Sequence, residues 1–175
     1  MANVYAQTPA AASEQRRRGF AWVVYTWLPV VVMTLAIVME STHTFSANNT
    51  SSWLRRLFGI ADDAHWQMIH HYIRKTGHFT GYGLMAATSL RAWMLTLARR
   101  LPTIPIAAWR WRSAFLSLCI TIFIASCDEL HQSFMPDRTG TIWDVLLDST
   151  GGIVFLLVIV VIFWTWSDPS GRKSS

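Results

Sequence analysis

From Phe20 to Met39 the chain runs 20 residues without a charge, enough to cross roughly 30 Å of hydrocarbon at about 1.5 Å per helical residue. A second apolar stretch covers about 78–98 and is broken only by Arg91, which lies about 20 Å along a helix from His78 and can snorkel to the far interface. A third run covers about 112–127. A fourth covers about 145–166, with Asp148 one turn inside its start. Between the first two runs, 62–77 reads as a helix lying on the membrane, with Asp62 as N-cap and Gly77 as a stop or hinge. The pattern predicts an all-α integral membrane four-helix bundle with a short interfacial helix between spans 1 and 2. Residues 1–19 and 167–175 are tails, and 20–166 form one transmembrane domain.

Composition agrees with lipid as the solvent. Of 175 residues, 52% are hydrophobic and only 14% charged, against about 25% charged in soluble domains. Ten Trp cluster near the ends of the apolar runs, where amphipathic rings prefer headgroup depth. The net charge of +5 does not imply a nucleic-acid partner, because the basic residues form small groups beside apolar runs rather than a stripe. Cys119 and Cys127 sit in one apolar segment without metal or disulfide spacing.

Basic residues also set an orientation. Placing Arg16, Arg17 and Arg18 in the cytoplasm puts Arg99, Arg100, Arg110, Arg112, Arg172 and Lys173 there as well, leaving Arg55, Arg56, Arg74, Lys75 and Arg138 outside. Both termini are then expected in the cytoplasm. All six His (His43, His65, His70, His71, His78 and His131) and most acids, from Glu40 to Asp144, gather on the opposite side. Ionisable groups at membrane depth are costly and face a cavity or a partner. If the interfacial helix runs on through Gly77, His71, Lys75, His78 and Tyr82 form one stripe at about 100° per residue. Asp128, His131 and Gln132 share a face of the third span, with Glu129 at its edge. Asp144, Asp148 and Gly151 align on the fourth, where Gly151 and Gly152 permit a close helix approach. The bland alternative is that these groups only pair with one another and hold the bundle together.

Two motifs carry a resemblance. Lys75-Thr76-Gly77-His78-Phe79, with Tyr82 following, opens the second span. The stretch from Asp128 through Glu129, Gln132, Phe134 and Pro136 to Arg138 precedes Asp144 and Asp148. Together they resemble the VanZ-like family over about residues 20–165. The likeness implies a multi-pass protein of the bacterial cytoplasmic membrane, in a family named for an accessory factor in resistance to the glycopeptide teicoplanin. Position 148 is a departure, since the family often uses Asn where this chain has Asp.

Three functional readings remain. In the first, an enzyme hydrolyses or transfers a group on a phosphate-bearing envelope lipid at the outer leaflet. Lys75 and Arg138 would clamp the phosphate, His78 or His131 would act as general acid or base, and Asp128 and Glu129 would orient an imidazole or activate water. Asp144 completes the candidate catalytic set, and Tyr82, Gln132 and Asp148 the binding set. No His-Glu-x-x-His or comparable motif assigns a metal ligand; a divalent metal on Asp128, His131 and Asp144 is a variant of this reading. In the second, the same pocket is a non-catalytic binder of a lipid, a glycopeptide or a partner protein. The third is a small transporter or channel. Membrane lipids are the expected partners, and neither a cofactor nor an oligomeric state can be read from the residues.

Overall fold

The computed structural model describes residues 9–41, 59, 63–135 and 140–164. Among these residues the chain is helical apart from short turns and connections, without strands. Helix α1 is Pro9–Ser41, α2 Asp63–Arg100, α3 Ile106–Ser133 and α4 Ile142–Ile159, the last running into a π-helical turn at Val160–Trp164. Three segments, Arg17–Ser41, Ile106–Ser133 and Ile142–Ile162, are long and apolar enough to cross a membrane. Helix α2 is more polar and lies in the middle, packed against α4, α3 and α1. Among the described residues α1 meets α2 and, less extensively, α3.

The arrangement of side chains is that of a protein dissolved in lipid. Phe20, Phe115, Phe123, Trp143 and Leu157 are exposed, whereas Ser89, Ser113, Ser117, Thr121, Gly151 and Gly152 are buried. Lipid tails are as apolar as a Leu side chain, so membrane helices associate through close contact of small residues and through interhelical hydrogen bonds. Ser117 Oγ donates to the Ala86 carbonyl across α3 and α2 at 2.6 Å, and Trp109 Nε1 donates to that of Met94 at 2.9 Å. A Cβ added to Gly152 would stand 3.0 Å from Thr121 Cγ2, and one added to Gly151 would run into the backbone carbonyl of Phe79. These contacts bring α4 against α2 and α3.

One expectation needs correction. The interfacial helix is not a separate element: α2 passes through Gly77 without a break, so the segment before it and the second span are one helix of 38 residues. One helical Gly costs only about 1 kcal/mol relative to Ala, too little to end a helix held on several sides. At about 1.5 Å per residue α2 is about 57 Å long, far more than the hydrocarbon needs, so part of it stands beyond the membrane core. Arg91 is held against a neighbouring helix. Its guanidinium lies 4.6 Å from the centre of the Tyr25 ring, with Nη1 3.4 Å from the carbonyl oxygens of Tyr25 and Thr26. Pro29 lies inside α1 and has no N–H to offer the carbonyl four residues earlier, that of Tyr25. Arg91 fills that vacancy from the neighbouring helix.

Candidate functional site

The polar stripe on α2 meets carboxylates from α3 and α4. Lys75 Nζ contacts Asp144 Oδ1 at 2.7 Å, one turn further His78 Nδ1 lies 3.4 Å from Asp148 Oδ2, and one turn beyond that the Tyr82 hydroxyl donates to Asp128 Oδ2 at 3.0 Å. Gln132 Nε2 donates to the same Asp128 oxygen at 3.0 Å. Exposure falls along this ladder. The side chains of Lys75 and Asp144 are 41% and 29% exposed, that of His78 is 11% and that of Asp148 is 0%. The cluster therefore has a wet rim and a dry floor.

Local sequence explains each placement. The i, i+3, i+7 spacing of Lys75, His78 and Tyr82 puts them on one face of α2. Asp148 sits one turn before Gly151, whose missing side chain lets α4 come close enough to α2 for Asp148 to reach His78. On α3, Ser117, Thr121, Ala125, Asp128, Glu129 and Gln132 form the buried stripe. Its centre is rotated toward Glu129, so His131, about 60° to the other side of Asp128, is exposed.

Thr141 is a site residue that the sequence reading missed. It is the N-cap of α4, its Oγ1 accepting from the Asp144 backbone N–H at 3.3 Å and donating to Asp144 Oδ2 at 2.7 Å. Its own backbone N–H donates to Glu129 Oε2 at 3.0 Å. One residue thereby ties the end of α3 to the start of α4. The signal was present, since Thr followed three positions later by an acid is the spacing of a capping box.

Of the sequence-predicted residues, Lys75, His78, Tyr82, Asp128, Glu129, Gln132, Asp144 and Asp148 come together, and His131 does not join them. The alternative metal set of Asp128, His131 and Asp144 is therefore not assembled. Arg138 lies outside the described residues, as does His43. His71 is exposed with its ring against Tyr72. Glu40 adds a further acid at the rim: its Oε1 would lie 3.5 Å from a Cβ on Gly77.

The buried members of the cluster are mostly acidic. Asp128, Glu129 and Asp148 are all buried, and Asp148 Oδ1 has no hydrogen-bond partner. Buried carboxylates are normally paired or bound to a cation, so this floor is short of positive charge.

The fold and the site thus define a helical membrane protein with a buried imidazole–carboxylate cluster opening at one end of the bundle. Residues 20–164 match the family model described as VanZ/LLP1, and the chain belongs to that family. No curated protein and no solved structure matches it.

Proposed function

We propose that the cluster receives the phosphate head group of a bacterial envelope lipid and that the protein hydrolyses or transfers it. The observation that carries this reading is the ladder of ionisable groups descending from Lys75 and Asp144 at the rim to Asp148 at the floor, within a bundle whose outer surface is apolar. A lipid lying against that surface would present its head group at the depth of the ladder. Lys75 is the described cation at the rim and would share its charge between Asp144 and the phosphate. Asp128, held through one oxygen by Tyr82 and Gln132, would take a proton from water. The water oxygen would bond to phosphorus, the bond to the leaving oxygen would break, and the proton taken up by Asp128 would pass to that leaving oxygen. In group transfer, a hydroxyl of an acceptor lipid or sugar would replace the water.

Membership of the family supports the link to glycopeptide resistance drawn from the sequence motifs. A change in the pool of phosphate-bearing lipids would alter the envelope that a glycopeptide meets. The test is direct. Purified protein in detergent is incubated with labelled polyprenyl and glycerol phosphate lipids, with and without divalent cations, and products are separated. Turnover that is lost in His78→Ala and Glu129→Gln while lipid binding persists supports catalysis. Binding of one of these lipids without any product supports the non-catalytic reading instead, and Lys75→Ala should then weaken it most.

A further inference from the structure

Ligand-donating atoms of His78, Glu129 and Asp148, from three different helices, all lie within 4.8 Å of one another. Two of the three side chains are buried carboxylates, and the Asp148 oxygen without a hydrogen-bond partner belongs to the same group. We propose that these three residues hold a divalent transition-metal cation at the floor of the cluster.

Geometry supports this beyond the collection of acids. Around a tetrahedral ion with bonds of about 2.0–2.1 Å, neighbouring donor atoms stand about 3.3–3.4 Å apart. His78 Nδ1 and Asp148 Oδ2 are 3.4 Å apart, long for a charge-assisted hydrogen bond, which usually falls near 2.7–2.9 Å, but matched to the edge of such a site. The donor atoms lie within 4.8 Å of one another, so the most widely spaced pair would close by up to about 1.4 Å around such an ion, a movement that side-chain rotation of Glu129 or Asp148 would supply. Glu129 is already oriented by an outer hydrogen bond, because Thr141 N–H occupies its Oε2. Outer partners of this kind fix the direction of a metal ligand.

The donor chemistry narrows the ion. One imidazole nitrogen with two carboxylates is too poor in oxygen for a calcium site and suits zinc, manganese or ferrous iron. Three protein ligands leave at least one position open, which a water or a phosphate oxygen would fill. The cation would supply the positive charge that the floor lacks. It shares the site with the proposed lipid reading and rests on that reading only for what fills the open position.

Purified protein is stripped with chelator, returned to metal-free buffer without added lipid, and titrated with Mn²⁺ followed by paramagnetic resonance, then with Zn²⁺ in competition. About one Mn²⁺ per chain is expected, displaced by Zn²⁺. Glu129→Gln keeps an oxygen for the Thr141 N–H and should bind at least tenfold more weakly, as should Asp148→Asn. His131→Ala, on the exposed side of α3, should stay within twofold of the parent. Gel filtration and circular dichroism confirm that each variant is folded, and Glu129→Gln decides the matter if Asp148→Asn is not. Parent protein that binds neither ion more tightly than folded Glu129→Gln overturns the site, as does equal loss in His131→Ala. Because no lipid is present, a negative result here and a negative lipid-turnover assay are separate failures.

Discussion

Gly151 of α4 abuts the backbone carbonyl of Phe79 on α2, and this contact sets the reach of Asp148 toward His78. A methyl group at position 151 would press on main chain, which cannot rotate away as a side chain can. Gly151→Ala should therefore destabilise the bundle by about 1–3 kcal/mol, the usual cost of overpacking, despite a helix-propensity gain of about 1 kcal/mol. Gly152→Ala meets side chains and no main chain, Thr121 at 3.0 Å and Ala86 at 3.5 Å, and should cost less. Thermal unfolding of both variants in detergent checks the order, and a Gly151→Ala protein as stable as its parent would refute the close approach.

Tyr82 is buried and spends its hydroxyl on Asp128. Tyr82→Phe keeps the ring and deletes the donor, leaving Gln132 as the remaining described donor to that oxygen. A loss of about 1–2 kcal/mol is expected, within the range for bonds to a charged group and for interhelical bonds in membranes. Tyr82→Phe combined with Gln132→Leu should lose more than the sum, because the carboxylate then loses both donors. A double-mutant cycle measures the excess.

The ion pair of Lys75 and Asp144 is short but half open to solvent. Lys75→Met should change stability by no more than about 1 kcal/mol, as partly exposed pairs do. If the lipid reading holds, its effect on affinity for a lipid phosphate should exceed that, and should shrink as salt is raised. Equal effects on folding and on binding would assign Lys75 to the scaffold alone.

Arg91 and Pro29 make a prediction about the opposite end of the bundle. Arg91→Met removes the donor that the Tyr25 carbonyl receives from α2. Pro29→Ala restores an N–H that can fill the same carbonyl from within α1. The two changes should couple by about 0.5–2 kcal/mol, with the loss from Arg91→Met smaller in the Pro29→Ala background. Strictly additive unfolding energies would mean that the proline and the arginine are unrelated.

Much of this structure could be read in advance because membrane helices advertise themselves by length and apolarity. The runs 20–39 and 112–127 fall inside helices that meet those criteria, and the run from Val145 begins inside a third, which meets them as far as Ile162. The membership of the site was also largely legible, since Lys75, His78 and Tyr82 share a face by spacing alone, as do Asp128 and Gln132. Spacing says which side chains share a face but not where the centre of that face lies. A rotation of α3 by less than one residue exchanges His131 for Glu129, and no local signal fixes it. The pairings could not be read at all, because Lys75 and Asp144 are 69 positions apart in the chain and their meeting depends on how deeply α4 settles against α2. Gly77 misled for a related reason: its local preference for ending a helix is small beside the packing that carries α2 through it.

Below Tyr82 and Asp148 the bundle closes. The ring of Phe155 fills the space over Gly83, Thr121 seats against Gly152, and the Ser117 hydroxyl is bonded across to the Ala86 carbonyl. This plug gives the ladder of charges a bottom as well as a mouth. If a molecule is received beside Lys75, these contacts stand between it and the other end of the bundle, an arrangement suited to reception at one face and ill-suited to passage between two. Traffic through the protein would demand that these small-residue seams part, whereas chemistry or capture at the mouth asks nothing of them.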